Sequence, residues 1–95
     1  MLFRSNENLD ANTAIGTYAL AQGTGMERCT ALGYGAGYNN QTADYQVFIG
    51  FNSAYSNTTG HTNTVIGYSA GYDGTTGGLK TLVGAYAGYH QSNQS

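Results

Sequence analysis

Proline is missing from this chain altogether, and charge is nearly missing. Without proline, no backbone N–H is withheld from a hydrogen-bonded ladder. Three Lys/Arg against five Asp/Glu give a net charge of −2. That balance offers no electrostatic footing for nucleic acid or an anionic membrane surface, so neither is expected as a partner. Cys29 is the one cysteine, which excludes an intrachain disulfide. No apolar run is long enough to span a bilayer, and Met1-Leu2-Phe3-Arg4 lacks the apolar core of a signal peptide. Membrane insertion is therefore not expected, and either export is not by a cleaved leader, or the sequence is a segment of something larger, or the protein never crosses a membrane as a free chain.

What the chain has instead is glycine (15 residues) and tyrosine (9) in a background of Asn, Thr, Ser and Gln. Low charge and polar composition favour disorder, but the aromatics and the aliphatic residues recur too regularly for that. An aliphatic residue followed by glycine occurs at Ile15-Gly16, Leu32-Gly33, Ile49-Gly50, Ile66-Gly67 and Val83-Gly84, always 17 residues apart. A fixed period without slippage marks a stacked repeat array. Residues 12–28, 29–45, 46–62, 63–79 and 80–95 are the five units, the last one residue short. Residues 1–11 stand outside them as a cap or junction segment.

Aligned on this period, the units form columns numbered 1 to 17. Column 1 is Asn12, Cys29, Gln46, Asn63 and Lys80. Column 2 is threonine except at Val47. Column 3 is Ala14, Ala31, Phe48, Val65 and Leu82. Column 4 is the aliphatic beat, and column 5 holds Gly16, Gly33, Gly50, Gly67 and Gly84 as bend glycines. Column 8 is small throughout. Column 9 is Gly37, Gly71 and Gly88, with Leu20 and Ala54 as exceptions. Column 10 is Tyr38, Tyr55, Tyr72 and Tyr89 after Ala21, and columns 11–17 are mainly polar.

The pattern predicts an all-β fold: a parallel β-roll or β-solenoid of five 17-residue coils. Each coil is expected to have a first strand over columns 1–4, a second over columns 7–10, and a polar return loop. Helices are disfavoured by glycine recurring twice per unit. Ile15, Leu32, Ile49, Ile66 and Val83 are assigned to an inner ladder. Strand alternation then turns Ala14, Ala31, Phe48, Val65 and Leu82 outward. Such an apolar outer stripe marks a subunit interface, with Phe48, Val65 and Leu82 as the main contacts. Tyr38, Tyr55, Tyr72 and Tyr89 are read as a stacked ladder, with a row of sugar-binding platforms as the alternative. Tyr18 and Tyr86 are candidates for exposed contact residues.

Residues 63–71 (NTVIGYSAG) and 12–16 (NTAIG) resemble the Asn-Thr-Ala-Ile-Gly-Tyr-x-Ala-Gly repeats of phage tail-fibre proteins, and are similar to the head repeats of YadA-like trimeric autotransporter adhesins. The resemblance spans residues 12–89. It implies a left-handed roll, three chains side by side or intertwined, and a structural role in a virion tail fibre or at a cell surface. The 17-residue coil is longer than the usual adhesin coil, and the adhesin stalk and anchor are not part of the match.

Little site chemistry is expected. His61 and His90 lie in different columns and lack metal-ligand spacing, and the acids form no repeated pair. Residues 33–37 (GYGAG) resemble a phosphate-cradling loop only through glycines that the repeat itself requires. Residues 74–81 (GTTGGLKT) miss the P-loop pattern at Leu79. Asn40 and Asn57 open formal glycosylation sequons. The sequence thus predicts a non-enzymatic fibre module with no catalytic, metal or cofactor site. Its expected partners are further copies of itself and a host surface glycan or protein. A homopolymeric extracellular filament of functional-amyloid type is the alternative. An ice-binding solenoid is the third reading, and the assigned alternation counts against it by turning the threonine column inward.

Overall fold

The computed structural model describes residues 11–90 and the backbone of residues 3–4. The remainder of the N-terminal segment (1–2 and 5–10) and the end of the fifth coil (91–95) lie outside the described residues. Six short strands form one sheet in chain order: β1 (Phe3–Arg4), β2 (Thr13–Ile15), β3 (Thr30–Leu32), β4 (Val47–Ile49), β5 (Thr64–Ile66) and β6 (Thr81–Val83). β2 to β6 are parallel and pair column on column, so Thr13, Thr30, Val47, Thr64 and Thr81 lie in one row. No helix occurs among the described residues. The chain is a parallel β-solenoid in which each turn of the coil is one repeat. β1 differs: it lies antiparallel against β2, with Phe3 opposite Ile15 and Arg4 opposite Ala14.

The second strand expected over columns 7–10 is not present. Residues there have φ near +60° at columns 7 and 9 of every coil: 65° and 52° at Tyr18 and Leu20, 53° and 50° at Asn52 and Ala54. A strand needs negative φ at each position, so the chain instead runs through overlapping tight turns. Ala36, Tyr38 and Asn40 donate three residues back to Gly33, Gly35 and Gly37 at 3.2, 3.0 and 2.9 Å. Between them, Gly35, Gly37 and Asn39 donate to the neighbouring coils, to Thr17, Ser53 and Tyr55 carbonyls at 2.9, 2.8 and 3.0 Å. The ladder therefore continues around the coil without extended backbone. Column 9 favours glycine because the left-handed region penalises a side chain by about 1–2 kcal/mol; Leu20 and Ala54 occupy it regardless.

The alternation is the reverse of the one expected. Phe48 is 0% exposed whereas Leu32, in column 4, is 44% exposed and Val83 65%. Ala14, Ala31, Phe48 and Val65 are buried, with Leu82 packed against them, so the residues assigned to the subunit interface form the inner ladder. Ile15, Leu32, Ile49, Ile66 and Val83, assigned to the inner ladder, lie on the outer face, partly or largely exposed. The reason is packing against the turn run. Column 3 meets columns 8 and 9, where Ala19, Ala36, Ala70 and Ser53 are fully buried. Bulk is traded between layers: a Cβ on Gly37 would lie 2.4 Å from the Phe48 ring, and one on Gly71 3.2 Å from Val65 and Leu82. Where column 3 is only Ala14 and Ala31, Leu20 supplies the volume from column 9.

Column 1 shares the inward parity of column 3, and it carries amides. Asn12 Oδ1 accepts from the Cys29 N–H at 2.8 Å, Gln46 Oε1 from Asn63 at 3.0 Å, and Asn63 Oδ1 from Lys80 at 3.1 Å. Each side chain thus holds the start of the following coil. Asn40 and Asn57 at column 12 turn inward to meet them: Asn57 Nδ2 donates to Asn40 Oδ1 at 2.7 Å and to the Gly60 carbonyl at 3.1 Å. Gln46 Nε2 and Asn63 Nδ2 converge on that same carbonyl. The return loop is therefore half interior. Its columns 12 and 15 (Asn40, Asn57, Met26, Ala43) are buried, while columns 14 and 17 are exposed in every described coil. An internal amide network of this kind is stabilising only when its members are satisfied, as these are.

Cys29 interrupts the amide relay. Its thiol is buried and donates to the Glu27 and Ala43 carbonyls at 3.4 and 3.3 Å. Burial pushes the Cys29 thiol up to about 11 from 9.0. The folded state thus keeps this proton to a higher pH than the unfolded chain. The resulting stability is complete below the ordinary thiol value and is lost as pH rises from about 9 toward about 11. The difference in melting midpoint between the wild type and Cys29→Ala is expected to narrow between pH 8 and 10.5, which thermal denaturation monitored by circular dichroism would measure. A constant gap would place the thiol in contact with solvent.

Candidate functional site

The outer face of β2–β6 is built from three columns. Column 2 presents threonine hydroxyls from Thr13, Thr30, Thr64 and Thr81, interrupted by Val47. Column 4 presents Ile15, Leu32, Ile49, Ile66 and Val83. Beyond the bend glycines, column 6 presents Tyr34, Phe51 and Tyr68, between Thr17 and Ala85. None of these positions carries a charge. Tyr34, Phe51 and Tyr68 are each 42–50% exposed, so an aliphatic ladder and an aromatic ladder lie two residues apart along the three middle coils. An apolar surface this continuous usually marks a contact site.

Stacking holds the aromatic column in place. Tyr34 and Phe51 have ring centroids 5.4 Å apart at 12°, and Phe51 and Tyr68 5.3 Å apart at 11°. Tyr38, Tyr55, Tyr72 and Tyr89 stack likewise in column 10, with centroids 4.9–5.2 Å apart at 7–8°. Desolvation, and after it the neighbouring phenols Tyr38 and Tyr72, hold the Tyr55 phenol above its ordinary value. Tyr18 joins the two ladders at one end, edge-on to Tyr34 and Tyr38 at 5.6 and 5.8 Å. Tyr86 joins them at the other, 5.4 Å from Tyr68 and 5.6 Å from Tyr89. Stacked rings hide their faces and show their edges. Within the column-10 ladder, a row of sugar platforms is therefore not available, because the faces a sugar ring would cover are occupied by the next tyrosine.

The bend glycines lie in close register. Each has φ between 126° and 136°. A Cβ on Gly16, Gly33, Gly50 or Gly67 would lie 2.4–2.8 Å from the carbonyl oxygen of the next glycine in the column. This close approach leaves no room for a side chain between adjacent coils at the bend.

The chemistry-bearing side chains stay apart. Within the described coils, Glu27, Arg28, Asp44 and Asp73 lie in columns 11–17, and Lys80 lies in column 1. Asp44 Oδ1 accepts from the Glu27 N–H at 2.7 Å, and His61 Nδ1 from the Asp44 N–H at 3.0 Å, so column 16 repeats a cap from coil to coil. His90 Nδ1 lies 2.8 Å from Asp73 Oδ2 on the exposed surface. Arg28 pairs with Glu27 and lies over the Tyr45 ring. Among the described residues no group of three or more His, Cys, Asp or Glu is arranged to hold a metal. The N–H groups of Gly33, Gly35 and Gly37 are donated to Ile15, Thr17 and Ser53 carbonyls, which leaves none of them for a phosphate. Lys80 of the near P-loop is buried, and burial lowers its pKa. Asn40 and Asn57, the sequon residues, are 0% and 3% exposed with their amides engaged, so neither is presented for glycosylation.

Sequence reasoning missed the column-6 aromatics and the internal amides. The signal for the first was Tyr34, Phe51 and Tyr68 at 17-residue spacing, obscured by Thr17 and Ala85 at the ends. Comparison with protein-family models, with curated proteins and with solved structures finds no match to this chain.

Proposed function

We propose that the chain is a structural fibre module that extends a surface appendage and supports attachment, of the kind found in phage tail fibres and trimeric adhesins. The observation that carries the reading is the uncharged outer face of columns 4 and 6 on a rod of in-register coils. Self-association, as a trimer, would cover that face. The exposed loop columns 14 and 17 would then point outward, with Tyr45, Arg28 and Leu79 available to a host glycan or protein. The lateral contact is thus assigned to Ile15, Leu32, Ile49, Ile66 and Val83 in place of the buried column 3.

Ile49→Asp tests it. Ile49 sits mid-column with its side chain outward, so the fold should persist while a carboxylate enters the contact. Burying an unpaired charge costs several kcal/mol. The concentration at half-assembly should therefore rise by roughly two orders of magnitude or more, as sedimentation equilibrium would read. A wild type that is already monomeric, or an Ile49→Asp assembly indistinguishable from wild type, overturns the proposal.

One observation favours a second reading. The threonine column faces outward on a parallel sheet, as an ice-binding surface requires. Val47 and the adjoining aliphatic column interrupt the hydroxyl array, which is why this reading stands second. Thermal hysteresis in the Ile49→Asp monomer would support it, and its absence in that monomer would remove it.

A further inference from the structure

The fold sorts the tyrosines by which part of the ring it leaves open. A stacked ring has its faces covered and its edge free. The edge of a phenol carries the hydroxyl and the two ring carbons ortho to it, the atoms that react when tyrosine loses one electron. In column 10, Tyr38, Tyr55, Tyr72 and Tyr89 are half-buried in an unbroken stack. In column 6, Tyr34 and Tyr68 are 47% and 50% exposed on the uncharged outer face, with Phe51 stacked between them. Leu32 and Ile66 of column 4 lie two residues away along the same coils. The column-6 phenols thus have open edges on the face assigned above to a second copy.

Within one chain the stacks oppose coupling. Two tyrosyl radicals join through their ortho carbons, and the new bond lies in the plane of both rings. Tyr34 and Tyr68 are each parallel to Phe51 within 12°, at centroid distances of 5.4 and 5.3 Å. Phe51 has no hydroxyl and forms no phenoxyl radical, so this stack offers them no ring to couple with. In column 10 the rings lie face to face within 8° of parallel, and their ortho bonds point past one another. The edge-on contacts Tyr18–Tyr34 and Tyr68–Tyr86 are the competitors inside the chain. Oxidation of the half-buried ladder still reaches the outer face by ring contact, since Tyr18 lies 5.6 Å from Tyr34 and 5.8 Å from Tyr38.

We propose that Tyr34 and Tyr68 are sites of oxidative cross-linking, each joined through an ortho carbon to a column-6 tyrosine of a second copy of this chain. Each phenol gives up one electron and one proton to a peroxide-class oxidant, whose O–O bond takes up both electrons and both protons as it breaks. The two radicals form one C–C bond. The hydrogens on the joined carbons then move to the oxygens, which restores both phenols. The link rests on the lateral contact proposed above and makes it covalent, so the assembly persists on dilution.

The test is photo-oxidation of the full chain by a ruthenium trisbipyridyl complex with persulfate, on an equal mixture of unlabelled and heavy-nitrogen-labelled protein. Mass spectrometry of the digested product is expected to show mixed-isotope dityrosine peptides joining Tyr34 or Tyr68 of one copy to Tyr34 or Tyr68 of another. Tyr34→Phe with Tyr68→Phe leaves rings of the kind column 6 already holds at Phe51. At a concentration giving the same assembled fraction by sedimentation equilibrium, that variant should yield roughly tenfold less cross-linked dimer, because neighbours held in contact couple far faster than chance encounters. Dityrosine confined to single chains, a Tyr68–Tyr86 product included, or an undiminished yield in the double variant, overturns the proposal. Sedimentation separates this from the reading it rests on. An assembled wild type that fails to cross-link at column 6 overturns the covalent step alone, whereas a monomeric wild type overturns both.

Discussion

Phe48→Ala is expected to cost about 3–5 kcal/mol, the largest loss of any single side-chain truncation among the described residues. Phe48 is the largest fully buried side chain among them, and it sits in the middle coil. Its ring fills the space that Gly37 vacates, where a Cβ would come within 2.4 Å of it. Neither neighbour in the column can swing in to fill the void, because coils are tied by ladder bonds above and below. For a domain near this size the loss corresponds to a fall in melting midpoint of roughly 15–30 °C. The informative comparison is Ile49→Ala, one residue along. Its side chain points outward, so in the monomer it should cost about 1 kcal/mol or less. Thermal denaturation of the two variants at a concentration below assembly reads the difference directly. Equal losses would mean that the alternation described here is wrong.

Gly50→Ala is expected to prevent stable folding. Two penalties coincide at this position. The backbone has φ of 127°, outside the range side chains tolerate, which costs of order 1–3 kcal/mol. The added Cβ would also lie 2.6 Å from the Gly67 carbonyl oxygen and 2.8 Å from its carbon. Those atoms belong to the next coil's backbone, held by the Gly67 N–H to Ile49 carbonyl bond at 2.8 Å, so relief requires breaking the rung. Gly84→Ala separates the two effects. It has the same φ of 127°, but only the Ala87 Cβ, at 4.0 Å, lies near the added atom. It should lose only the conformational part, about 1–3 kcal/mol, and remain folded by circular dichroism. If Gly84→Ala were as damaging as Gly50→Ala, the close approach between coils would not be the reason for this column.

The period, the parallel stacking and the register could all be read from the residues, because a 17-residue beat without slippage leaves one way to stack. The parity could not be read from hydropathy alone. Column 4 is the more uniformly aliphatic, so it looks like the interior. The interior is in fact set by what the turn run leaves open, a narrow and uneven space that takes alanine in two coils and phenylalanine in the next. The clue was size compensation between columns: Leu20 beside Ala14 and Ala31, and Gly37 beside Phe48. Column 1 was a second clue, since asparagine and glutamine at the same inward parity have loop carbonyls to satisfy. The turn run could not be told from a strand because Leu20 and Ala54 at column 9 give no sign in the sequence of the left-handed backbone they adopt, at φ of 52° and 50°. The outward stripe was therefore assigned to column 3, which is buried, whereas column 4 is the one that faces outward.

The substitution of Cys29 into the amide column has a mechanical consequence. A rod pulled along its axis carries the same tension through every junction between coils. Its breaking strength is that of the weakest junction, however many stronger ones lie in series with it. At the other described junctions of the relay an amide oxygen takes the next coil's N–H at 2.8–3.1 Å. Between the second and third coils column 1 offers the Cys29 thiol in place of an amide, a poorer acceptor, and that thiol donates to the Glu27 and Ala43 carbonyls. Column 1 thus gives this seam no amide clamp, and the tie that crosses it instead is the buried Asn57 Nδ2 to Asn40 Oδ1 bond at 2.7 Å in column 12.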